Sequence, residues 1–126
     1  MHKSKLGGFI IDCETDDLEA SAAFWSRALG APPRPPANPA DAAYVALVMQ
    51  PGEPYVEVQQ VSHPSRVHLD IESDDVEREV ARLESLGARR VTTIRDWCVM
   101  EAPTGQRFCV VPVQSDDFEE KAREWP

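Results

Sequence analysis

The sequence has no apolar run approaching the ~18–20 residues that cross a bilayer, and no signal-peptide core follows its polar start, Met1-His2-Lys3-Ser4-Lys5. A cytoplasmic protein with no membrane partner is expected. Basic clusters are missing as well: 13 Lys and Arg against 22 Asp and Glu leave a net charge of −9. With no cationic patch to displace counterions from phosphates, nucleic acid is excluded as a partner. Cysteine is scarce, and Cys13, Cys98 and Cys109 are odd in number with no CxxC spacing. That excludes a disulfide framework and suits reduced thiols packed as small hydrophobes. There is no Gly-rich phosphate loop, nucleotide fingerprint or Ser-His-Asp order, so phosphoryl and hydride transfer are set aside.

What the chain does contain is one paragraph written twice. Ile10-Ile11-Asp12-Cys13-Glu14-Thr15-Asp16-Asp17-Leu18-Glu19 returns as His68-Leu69-Asp70-Ile71-Glu72-Ser73-Asp74-Asp75-Val76-Glu77. The offset is 58 residues at the caps and 57 at Gly30 and Gly87, so one unit has been used twice. Its 126 residues suffice for a single domain with a proper core, spanning 1–126.

Each copy begins with a strand (Phe9 to Glu14 in the first) and an acidic cap, for which Asp16-x-x-Glu19 and Asp74-x-x-Glu77 resemble capping boxes. The stripes Leu18, Ala22, Trp25, Leu29 and Val76, Val80, Leu83, Leu86 predict amphipathic helices stopped by Gly30 and Gly87. Further strands are expected over 44–49 and 55–61, then 91–94, 97–101 and 107–113. Proline at 32, 33, 35 and 36 opposes a ladder, so 31–43 reads as a loop, either a lid or a stiff connector. Phe118, Ala122 and Trp125 predict a short C-terminal helix over 115–125, with Trp125 docking it on the body or on a partner.

A tandem βαβββ pair of this size, with Leu29-Gly30-Ala31 after the first helix, His68-Leu69-Asp70-Ile71 leading into the second cap and Ala102-Pro103-Thr104-Gly105-Gln106-Arg107-Phe108 as the last hairpin, resembles the vicinal oxygen chelate superfamily. Within it, the small glyoxalase-like proteins are the nearest likeness. The resemblance implies an α+β fold in which module one (about 6–62) and module two (about 66–113) form a curved mixed sheet around a cleft, with the short helix appended. It is specific for fold and weak for reaction, since members include lyases, isomerases, ring-cleaving dioxygenases and metal-free antibiotic-binding proteins.

Enzymes of that superfamily hold a divalent metal with one side chain from the first and one from the last strand of each half. Those places fall here on Ile10, Glu57, His68 and Cys109. The resemblance therefore implies Glu57, His68 and Cys109 as metal ligands, a set that suits zinc better than a hard ion such as Mg²⁺. Ile10 departs from the pattern and puts chemistry on an activated water in doubt.

Strand alternation sets Tyr55, Glu57 and Gln59 on one face, either a pocket wall or ordinary solvent-facing sheet. His68 shares a face with Asp70, as a ligand, an acid/base pair or a structural histidine. Arg107 lies on the Cys109 face, to pair with an anionic ligand or Glu57 or to stand as a surface charge; Trp97 either stacks on a flat ligand at the rim or packs in the core. His2, in a start expected to be disordered, and His63, in a loop, are poor ligand candidates.

Three functions follow. The first is binding of a small organic molecule in the cleft without an assigned reaction, with Tyr55, Gln59, Asp70, Trp97 and Arg107 as contacts. The second is a metal-dependent lyase, isomerase or dioxygenase with Glu57 and His68 at its centre. The third is a dimeric module with a vestigial cleft; a homodimer is expected in any case, since the superfamily often builds sheets across two chains.

Overall fold

The strand expected from Phe9 begins earlier, at His2, giving one long strand, β1 (His2–Glu14). The computed structural model describes all 126 residues, in two compact units: Gly8–Val67, and Met1–Gly7 with His68–Pro126. The first contains the main part of β1, α1 (Leu18–Leu29), β2 (Pro33–Arg34), a 3-10 turn at Pro39–Asp41, β3 (Tyr44–Leu47) and β4 (Tyr55–Val61). The second contains β5 (Arg66–Ser73) from His68 on, α2 (Val76–Ser85), β6 (Arg89–Ile94), β7 (Trp97–Glu101), β8 (Arg107–Pro112), α3 (Phe118–Lys121) and β9 (Arg123–Trp125). The fold is thus α+β with a repeated βαβββ order and strands of mixed sense, as expected.

In the first unit β1 runs parallel to β4, β3 antiparallel to β4, and β2 antiparallel to β3. Helix α1 covers one face, where Ala22 packs with Ile11, Leu47, Val56 and Val58, flanked by Leu18 and Trp25. In the second unit β5 runs parallel to β8, with β7 and β6 following antiparallel. Helix α2 buries Val80 against Cys98, Met100, Phe108 and Val110. Fully burying a side chain such as Val80 or Met100 contributes about 1.5–3 kcal/mol, and Val80 is the residue through which α2 gains it.

Several boundaries depart from the sequence expectation. The helices are capped one residue later: Asp17 accepts from Ala20 N and Asp75 from Arg78 N, each at 3.1 Å. Leu29 and Leu86, expected in the stripes, are exposed, one the last residue of α1 and the other the C-cap of α2. The proline segment does contain a strand, two residues long. Pro33 needs no donor at a sheet edge, and Val48 N reaches Pro32 O at 2.8 Å.

The C-terminal helix is real but confined to Phe118–Lys121. Arg123–Trp125 then turns extended and pairs with residues 2–4 of β1. The start of the chain is therefore ordered. Pairing with β9 satisfies its backbone, which the expectation of a disordered start did not foresee.

Candidate functional site

Ile71, Phe108 and Val110 belong to the core under α2. Because side chains alternate along a strand, His68, Asp70 and Glu72 on β5 and Arg107, Cys109 and Val111 on β8 take the opposite face. The β5–β8 register places Asp70 beside Cys109. One donor atom from each of His68, Asp70 and Cys109 lies within 4.8 Å of the others. His68 Nε2 is 3.7 Å from Asp70 Oδ1. Asp70 and Cys109 are buried and His68 half-buried.

An imidazole, a carboxylate and a thiol gathered this tightly fit a borderline ion such as zinc, and three protein donors leave a coordination place open. A hard ion wanting six oxygens is poorly served. The donor set differs from the expected one in Asp70. The sequence signal for it is the i, i+2 spacing of His68 and Asp70 on one strand face, read at first as a ligand contact.

The registers explain the difference. In the first unit the β1–β4 pair sets Ile10 against Glu57 and Asp12 against Gln59. Asp70 is the counterpart of Asp12 by cap spacing, whereas Cys109 answers to Glu57 only in what the family resemblance implies. In the second unit Asp70, not His68, is the register partner of Cys109, which brings the carboxylate beside the thiol.

Glu57 stands on β4 opposite Ile10 and Ala46, flanked on its face by Tyr55 and by Gln59, whose Nε2 donates to Tyr44 Oη at 3.0 Å. Ile10 is buried and offers no donor. Asp12 is buried with Arg66 Nε at 3.7 Å and His63 Nε2 at 3.9 Å, so His63 serves a structural carboxylate.

Arg107 is half-exposed and donates through Nε to Glu101 Oε1 at 3.3 Å. Glu101 Oε2 accepts from Arg89 Nε at 2.7 Å. The hydrogen bond and charge of Arg89, helped by Arg107, hold the Glu101 carboxyl below the usual carboxylate range. Trp97 is partly buried, with the Arg95 guanidinium 5.7 Å from its ring centre. Burial pushes the Cys13 and Cys98 thiols up, keeping both protonated and unreactive.

Two buried acids escaped the sequence reading. Glu72 Oε2 accepts from Ser115 Oγ at 2.8 Å and Gln114 N at 3.3 Å, with Lys5 Nζ 3.7 Å from Oε1. Glu79 Oε1 lies 2.8 Å from His2 Nε2, and Arg82 grips both Glu79 oxygens at 2.9 and 2.8 Å. The Arg82 guanidinium lies 3.8 Å from the Trp125 ring centre, and Trp125 Nε1 donates to Ser4 Oγ at 2.8 Å. His2 and Trp125 thus act within their own unit, with Trp125 on a strand.

The model of the glyoxalase-like domain matches residues 8–111. The chain belongs to that family. This glyoxalase-like chain also has the fold of a methylmalonyl-CoA epimerase solved with methylmalonyl-CoA and NH4+, at 14% identity and TM-score 0.65, covering 92% of this chain and 97% of that one. A variant of the Streptomyces coelicolor methylmalonyl-CoA epimerase, in complex with 2-nitronate-propionyl-CoA, matches at 14% identity and TM-score 0.65 over 88% and 98%. A hypothetical protein from Bacillus halodurans C-125 matches at 11% identity and TM-score 0.63 over 90% and 96%. At such identities the likeness is one of fold. The resemblance to the vicinal oxygen chelate superfamily is borne out. No curated protein matches the sequence, and no helix is long and apolar enough to cross a membrane.

Proposed function

We propose that this glyoxalase-like protein binds a small organic molecule against the sheet face carrying His68, Asp70 and Cys109, with a divalent ion such as zinc held by those three side chains. The convergence of three different donors within 4.8 Å supports this reading. When bound, such an ion would act as a Lewis acid toward a carbonyl or hydroxyl oxygen of the ligand. The chain's own residues would do the rest. His68 and Asp70 orient each other, Cys109 supplies the soft donor, and Trp97 borders the face. Tyr55, Glu57 and Gln59 share one face of β4 in the first module, proposed as a ligand-facing wall of that unit.

The test is metal content and cobalt substitution of protein purified without a histidine tag. One equivalent of zinc, and a near-ultraviolet thiolate-to-cobalt band lost in Cys109→Ser, support the reading. Less than a tenth of an equivalent, with no such band, would remove the ion from it.

A second reading is a metal-free binding protein, favoured by the buried Ile10 at one of the four family ligand places. It expects ligand to raise the melting temperature equally with and without chelator. A homodimer acting in the cytoplasm belongs to either reading, the first part of which light scattering tests directly.

A further inference from the structure

We infer that the ligand of this face is a small organic acid whose carboxylate pairs with Arg107 while a carbonyl or hydroxyl oxygen a few bonds away reaches the His68, Asp70 and Cys109 donors. This rests on the site proposed above and adds the chemical class of its ligand.

The first support is placement. Arg107 and Cys109 are two residues apart on β8 and share a face, which separates their Cα atoms by roughly 6–7 Å along the strand. An arginine side chain spans that distance easily. Val99, opposite Cys109 in the β7–β8 register, gives the same face a hydrocarbon neighbour for the carbon chain of an acid.

The second support is charge. Glu101 stands opposite Arg107 on one side and Arg89 on the other. One carboxylate therefore serves two guanidinium groups, a local excess of positive charge on a chain of net charge −9. The partition is unequal: Arg89 Nε makes the short bond of 2.7 Å, and Arg107 Nε the long one of 3.3 Å. Arg89 alone would satisfy Glu101 as a cross-strand pair.

The third support is geometry. The Glu101 contact uses Nε of Arg107, so the terminal nitrogens keep the fork that binds a carboxylate through two parallel hydrogen bonds. The side chain is 33% exposed, open to a ligand yet partly desolvated. A surface ladder with no ligand role is the competing explanation. It expects Arg107 and Arg89 to be interchangeable, whereas a carboxylate site makes Arg107 alone matter.

The probes are levulinate, whose carboxylate is separated from a ketone, and its methyl ester, titrated by calorimetry into the zinc-loaded protein and into the chelator-treated protein. We expect the acid to bind at least tenfold more tightly than the ester. Arg107→Met should erase the preference, Arg107→Lys restore part of it, and Arg89→Met keep it, with zinc content unchanged in all three. Equal affinity for acid and ester, no binding of either, or a preference that survives in Arg107→Met would overturn the inference. The last result would assign the carboxylate to the ion. If the protein holds no ion, the site reading fails, while the acid-over-ester comparison in the chelator-treated protein still decides the role of Arg107.

Discussion

His2 Nε2 lies 2.8 Å from Glu79 Oε1, joining the first residue of β1 to helix α2, 77 residues later. Both side chains are buried, and Glu79 is 0% exposed. Its charge is tolerable there because Arg82 and His2 satisfy it, while Trp125 covers Arg82 from the outside. Removing one partner leaves a buried carboxylate short of donors. Arg82→Met should cost about 3–5 kcal/mol, the range for breaking a buried ion pair; His2→Ala should cost about 1–3 kcal/mol. Urea unfolding of each variant measures both. A loss below half a kilocalorie in Arg82→Met would show the cluster to be incidental.

The same cluster sets a pH dependence. Burial would raise the Glu79 carboxyl, but hydrogen bonds from Arg82, His2 and Ser4 and the charge of Arg82 outweigh it and lower the pKa. A carboxyl lowered on folding contributes stability that is fully present above its unfolded value, roughly 4.3. That stability is lost as the pH falls through the lower folded value. Glu79→Gln should therefore flatten stability against pH below about 4.3 and leave the slope above it unchanged.

Asp70 distinguishes the donor set seen in the structure from the one implied by family resemblance. Asp70→Asn should weaken zinc at least about tenfold, on the order of what even supporting shell residues cost. Competition against a chromophoric chelator measures it. Unchanged zinc affinity in Asp70→Asn would remove Asp70 from the donor set.

Gly8 pairs with Tyr55, and a Cβ at Gly8 would run into the Tyr55 backbone oxygen and ring. Gly8→Ala forces β1 and β4 apart and should cost about 1–3 kcal/mol, as overpacking does. The readout is the denaturation midpoint, with Gly105→Ala, where nothing lies within 4 Å, separating contact from turn strain.

The caps offer a sharper check on register. Asp17→Ala and Asp75→Ala should each cost about 1 kcal/mol. Asp16→Ala should cost less than half of that, because Asp17 is the residue that accepts from Ala20 N.

The sequence by itself determined the repeat, its βαβββ order and the two helix faces, because periodicity and helix stops are local properties. Strands β4 and β7 begin and end where alternation says they should, and Gly30 adopts the left-handed φ of 67° that its stop position requires. The family resemblance, not local pattern, named His68 and Cys109 among the candidate ligands. What the sequence did not contain was the relative slide of parallel strands, since patterns of period two look the same after a shift of two residues. Tertiary pairing decided that Asp70 rather than His68 stands beside Cys109. Likewise, nothing local in Met1-His2-Lys3-Ser4-Lys5 or in Arg123-Glu124-Trp125 announces a strand. Each becomes one because the other end of the chain supplies its hydrogen bonds and the buried Glu79 needs a histidine.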